Sequence, residues 1–165
     1  MSIGQIYAAE LEREAVATKK MLERVPDDFA WTPHEKSMTL GSLATHVALL
    51  PSLVKSTITK SEHDFAADPH SPPTFANGAA LAEAFSQHVG EALQLLNEVS
   101  DEDLSKNWRL RNGEHVIFDL PRIAVLRTMV MSHLIHHRGQ LSVYLRLKNV
   151  PLPSVYGPSA DEQTM

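Results

Sequence analysis

Residues 133–148 read HLIHHRGQLSVYLRLK, and the spacing inside this stretch decides how the rest of the chain is understood. His133 and His137 stand four apart, which on a helix puts them about 40° apart on one face. Leu126, Val130, Leu141 and Tyr144 share that face, so the two imidazoles sit on an apolar stripe that turns toward a core. A histidine pair at this spacing presents two ring nitrogens to one point, which is how one helix supplies two ligands to a metal ion. On spacing alone, two packed and hydrogen-bonded core histidines are an equal reading. The helix itself is expected from near Pro121, whose fixed φ suits a first turn, to about Lys148.

Working outward, three more segments carry helical periodicity. Tyr7, Leu11, Ala15, Thr18, Leu22 and Val25 recur at steps of three and four until Pro26 ends the run. A second helix begins near Thr39 or Ser42 and continues to about Lys60, with Leu43, Val47, Leu50 and Val54 as its stripe and His46 beside it. Pro51 lies inside this helix and predicts a kink one turn after His46. Leu81, Phe85, His88, Ala92, Leu95 and Val99 mark a third helix, capped by Thr74 or Asn77. Between the third and fourth, Asn112-Gly113 within Trp108–Phe118 is a hairpin signal.

The connector EHDFAADPHSPPTF, residues 62–75, is polar and proline-rich. About 15 extended residues reach on the order of 50 Å, against roughly 33 Å for a helix of about 22 residues. The chain can therefore return along the whole bundle and leave helices two and three parallel. The tail from Val150 onward reads as non-helical. The expectation is one all-α domain over residues 1–165, a four-helix bundle with a small hairpin before the last helix.

Composition narrows the function. Fifteen basic residues against 20 acidic ones give a formal charge of -5, and no basic patch appears, so nucleic acid and anionic membrane are poor partners. Arg138, Arg146 and Lys148 read as charge complementing a helix C-terminus. The absence of cysteine removes thiolate ligands and cysteine nucleophiles, and fits a reducing cytoplasm. No signal peptide or membrane span is expected, since no stretch approaches eighteen continuous apolar residues.

Nine histidines are many for 165 residues. His46 can add a third imidazole from the inner side of helix two. Three neutral imidazoles would leave a coordination position open, and such a site lowers the pKa of bound water toward about 7. His88, on the third stripe, is the rival ligand, and His136 falls on another face as a rim group. His34, His63, His70 and His115 fall in connectors, where surface histidine is the expectation. There is no H-E-x-x-H, no Glu-x-x-His pair, no phosphate loop and no G-x-S-x-G elbow.

The run His133-Leu-Ile-His-His137-Arg138-Gly139-Gln140 resembles the H-x-x-x-H-R-G-Q signature of the DinB-like superfamily. Trp31-Thr-Pro-His-Glu-Lys-Ser-Met, before a helix carrying Leu43-Ala-Thr-His46, and the closing Tyr156-Gly-Pro-Ser-Ala-Asp-Glu are similar to that family too. The resemblance covers nearly the whole chain. It implies an up-down-down-up bundle, a metal triad of His46, His133 and His137 holding one nickel or zinc ion, and a homodimer. It also implies either a thiol S-transferase using a low-molecular-weight thiol or a metal-dependent hydrolase acting on a small molecule. The other class open to it is a non-catalytic, metal-stabilised binding module of the stress response, to which a fourth protein ligand would point. The resemblance assigns no catalytic or cofactor-binding residue beyond the triad.

Overall fold

The computed structural model of the chain describes residues 1–69 and 71–163. Its first helix, α1 (Ile3–Glu23), starts on a capping box: the Ser2 hydroxyl accepts from the Gln5 amide, and the Gln5 side chain accepts from the Ser2 amide. Thr39 caps α2 (Leu40–Leu49) by accepting from the Ser42 amide at 3.1 Å. Pro51 has no N–H to continue the ladder, and the chain tightens into a 3-10 turn over Leu50–Ser52 before resuming as α3 (Leu53–Thr59). Where a kink was expected, one turn after His46, the helix is interrupted by this 3-10 turn.

Strand β1 (Glu62–Asp64) opens the long connector, and Asn77 caps α4 (Gly78–Glu98). A short helix α5 (Asp101–Ser105) leads into strands β2 (Asn107–Asn112) and β3 (His115–Pro121). The last helical stretch begins as α6 (Arg122–Val125), widens to a π-helix over Leu126–Ser132, and ends as α7 (His133–Leu147).

Pairs of touching residues give the helix directions. A Cβ on Gly4 would collide with the Leu96 carbonyl, and one on Gly78 would meet those of Leu22 and Val25 at 2.7 Å. Glycine thus lets α1 and α4 approach closely at both ends, and the two helices run antiparallel. Tyr7 reaches Leu126 while Thr18 reaches Arg138, so α1 and the last helix run parallel. Met38 meets Tyr144 and His46 meets His133, so α2 opposes that last helix. The long connector returns the chain along the bundle, and Lys55 of α3 pairs with Glu91 of α4.

These helices share one apolar core in which Leu11, Leu22, Leu43, Phe85, Leu126 and Leu134 are almost wholly buried. Emptying Phe85 to alanine costs about 3–5 kcal/mol on the usual scale for such a cavity.

The expectation of an all-α chain needs correction, because the protein is helix-rich but carries a three-stranded sheet in the order β1-β2-β3. The hairpin lies where Asn112-Gly113 placed it, with Gly113 at φ 58 in the left-handed region. A bulge where Leu110 pairs with Phe118 and Arg111 with Val116 bends the hairpin. Strand β1, parallel to β2, was not expected. Its cohesion comes from tertiary partners: Asp64 accepts from the Gly113 amide at 2.9 Å, and Arg111 pairs with Glu62 and Asp64. Those bonds hold the Asp64 and Glu62 carboxyls below the usual carboxylate range.

The tail is non-helical as expected. Arg24 binds Glu162 and the Pro151 carbonyl, and Arg146 binds Asp161, which straps the tail along the bundle. No helix among the described residues is long and apolar enough to cross a membrane.

Candidate metal centre

The π-helical stretch ends one residue before His133. A π turn leaves carbonyls without their ordinary amide partner, and side chains supply donors there. The Tyr7 hydroxyl donates to the Leu126 carbonyl at 2.5 Å, the Thr128 hydroxyl to Ala124, and Nδ1 of His133 faces the Met129 carbonyl at 3.3 Å. Such insertions recur at functional sites.

His133 and His137 occupy the first turns of α7, and His46 faces them from the last turn of α2. The ring centroids of His46 stand 4.9 Å from His133 and 4.6 Å from His137, and those of His133 and His137 are 4.6 Å apart. One nitrogen of each lies within 4.8 Å of the others, and all three side chains are half-buried. Nε2 of His46 and Nε2 of His133 are 3.2 Å apart. Two imidazole nitrogens on one tetrahedral ion, each at roughly 2.0–2.1 Å, would be separated by about 3.3 Å. The donor set therefore fits a transition metal.

The second nitrogens of His133 and His137 are engaged in the sense a metal ligand needs. Nδ1 of His137 lies 2.7 Å from Oε1 of Gln140, and Nδ1 of His133 faces the Met129 carbonyl. Both partners accept, so each Nδ1 carries the hydrogen and each Nε2 keeps its lone pair for the shared point. Burial, and then the neighbouring His137, push the His133 pKa below its ordinary value, so its ring is neutral at neutral pH.

The other histidines separate. His88 is half-buried on α4 and belongs to no metal-holding group among the described residues, so it is not the rival ligand its stripe suggested. His136 is exposed and meets the His137 ring edge-on at 4.8 Å. His34 and His115 are exposed, and His70 lies outside the described residues. His63, on β1, is not the surface residue expected: it lines a cleft beside the triad.

That cleft has a volume of about 450 Å³ and lies between α3, the sheet and the π-helical stretch, with His46 and His133 in its wall. A second, more open hollow of about 660 Å³ reaches His46 from the side of Phe29 and Phe75.

Arg138 also departs from its expected role. It is 3% exposed, pairs with Glu14 at 2.7 Å, and donates to Thr18 and to the Tyr156 hydroxyl. It is a buried cation joining α1, α7 and the tail, not an exposed complement to a helix end.

Fold and site together define a helix-rich bundle whose three converging imidazoles could hold a metal ion. The profile of the DinB family matches residues 1–164, and the chain belongs to that family. It is 25% identical over 158 residues to the uncharacterized protein YrdA of Bacillus subtilis (strain 168), covering 92% of this chain and 86% of that protein. Its fold is similar to that of a DinB-like protein from Bacillus cereus ATCC 10987, with a TM-score of 0.67 at 24% identity over 91% of this chain and 95% of the other. A DinB-like protein from Bacillus subtilis, YjoA, gives 0.69 at 20% identity over 96% and 99% of the two chains.

Proposed function

We propose that the protein holds one divalent transition metal ion, zinc or nickel, on His46, His133 and His137 and acts as a metal-dependent enzyme on a small molecule. Among the described residues no fourth histidine, cysteine or carboxylate joins the three imidazoles. The observation that carries the enzyme reading is the cleft, which has two of the three histidines in its wall. A structural metal site is closed by a fourth protein ligand, whereas a catalytic one keeps a position for substrate. An ion held there supplies Lewis acidity, favouring a deprotonated thiol or water and polarising a substrate oxygen.

The chain's own contribution is positional. Gln140 and the Met129 carbonyl orient two ligand rings, and the apolar walls of the cleft exclude water from what binds beside them. Within this frame the reaction is thiol S-transfer, with a low-molecular-weight thiol as co-substrate, or hydrolysis.

The test is to load purified protein with zinc or nickel and assay glutathione, bacillithiol and mycothiol against 1-chloro-2,4-dinitrobenzene, alongside a panel of small esters. Turnover that disappears in His137→Ala supports the reading. A loaded protein that turns over none of these pairs, and whose cobalt spectrum does not respond to millimolar thiol, moves the site to a structural role.

A further inference from the structure

Thr57 of α3 is 1% exposed, yet it lines the cleft beside the triad. Thr18, Thr59, Ser86 and Thr128 each turn their hydroxyl back to the carbonyl one helical turn before them. Thr57 does not. Its hydroxyl makes no hydrogen bond among the described residues, and neither does that of Ser56 beside it, which lines the same cleft. The buried side-chain atoms that are both unpartnered and sealed are Nε1 of Trp108 and Nε of Arg122, among the described residues. Oγ1 of Thr57 is unpartnered but not sealed, so the little exposure this residue keeps lies at its hydroxyl, on the cleft it lines.

One turn further on, Lys60 ends α3, lines the cleft and makes no ion pair among the described residues. Arg122 adds a second cation at this end, donating to the Lys60 carbonyl at 3.1 Å. Ser52 continues the wall toward His46, its own proton given to the Leu49 carbonyl. The carboxylate in the lining, Asp68, has a side chain 73% exposed and keeps to another wall, 4.0 Å from His63 of β1. The sheet and the π-helical stretch make the remaining lining apolar through Trp108, Leu110, Phe118, Val125 and Met129.

We propose that the cleft takes a small apolar carboxylic acid as its anion. The carboxylate lies on α3 against the hydroxyls of Thr57 and Ser56, with the Lys60 ammonium beside them, and the hydrocarbon body lies on the apolar walls. Donors without acceptors on one wall match a group that only accepts, and a carboxylate has two oxygens for them. A buried hydroxyl left unpaired is costly, so a ligand that pairs it gains specificity for its acceptor. This substrate class rests on the reading of the cleft as the place where the metal centre meets its substrate.

The probe is 3-phenylpropanoate, with 3-phenylpropanamide as a neutral molecule of the same shape. Each is titrated calorimetrically into the zinc-loaded protein at low salt. The acid should bind saturably and about fivefold more tightly than the amide, the difference between a charge-assisted and a neutral hydrogen bond. Thr57→Val keeps the shape and removes the hydroxyl, and should weaken the acid about tenfold. Because that hydroxyl has no partner in the free protein, the variant's melting temperature should hold or rise. Lys60→Met, at an exposed position, should narrow the preference for the acid to about twofold.

An acid that binds no better than the amide overturns the proposal. So does an affinity unchanged in Thr57→Val, since the carboxylate would then lie on the ion or outside the cleft. A lowered melting temperature in Thr57→Val also overturns it, because the hydroxyl would then serve the fold. The readout is binding, so a protein that turns over no substrate still answers, and the two readings fail separately.

Discussion

Nδ1 of His137 and Oε1 of Gln140 lie 2.7 Å apart across one turn of α7, which makes the glutamine the group that orients one ring of the triad. Partners of this kind are worth ten- to hundredfold in metal affinity when removed. Gln140→Ala should therefore weaken zinc or nickel binding by a factor in that range. Gln140 is exposed, so the fold should be unaffected. Competition with a chromophoric chelator measures it, and an unchanged dissociation constant would show the contact to be incidental.

Chelation should leave the protein folded but melting lower. The apolar core joins every long helix without help from the histidines, unlike a zinc finger, which unfolds when stripped. An ion at a hundredfold excess over its dissociation constant adds about 2.7 kcal/mol through linkage. Circular dichroism before and after chelation checks this, and a random-coil spectrum for the stripped protein would contradict it.

Breaking the Arg138–Glu14 pair should be expensive, because the two side chains are 3% and 13% exposed. Arg138→Met leaves a half-buried carboxylate with the Tyr156 hydroxyl but no cation beside it, a loss of up to about 3–5 kcal/mol. Replacing both partners by apolar residues, Arg138→Met with Glu14→Leu, should recover much of that. Urea denaturation of the four proteins resolves the cycle, and a single variant within 1 kcal/mol of wild type would mean the pair carries little.

Acid should loosen the metal-free protein in two windows. The His133 pKa is depressed from its unfolded value of 6.5, so its contribution is present above that pH and is lost as pH falls through the folded value. Arg146 and Arg24 depress the Asp161 and Glu162 carboxyls from 3.8 and 4.5. Their contribution to holding the tail is full above those values and is lost below them. Melting temperature against pH should thus decline below about 6.5, and His133→Ala should remove that first decline. Asp161→Asn with Glu162→Gln should make the second decline, below about 4.5, shallower without abolishing it, since Glu62 and Asp64 are depressed in the same range. A first decline that persists in His133→Ala would assign it to another group.

The local rules of the chain were sufficient for the helices and for two-thirds of the site. Periodicity placed the long helices, Asn77 and Thr39 cap where their hydroxyl or amide oxygens allow, and Pro51 interrupts the second helix, because each of these depends on residues within a turn of one another. The four-residue spacing of His133 and His137 is local in the same sense, and it put both rings on one face. That His46 completes the group is a fact of α2 crossing α7, which no single-helix pattern contains; the family resemblance pointed to it, and the packing places Nε2 3.2 Å from that of His133. Strand β1 had no apolar alternation to announce it and exists through Asp64 and Arg111 reaching across 47–49 residues of chain. The π-helical turn before His133 and the burial of Arg138 against Glu14 were likewise decided only by tertiary contact. Each depends on which groups from distant segments share a dry interior, and a hydrogen bond or ion pair there is set by that company and not by its neighbours in sequence.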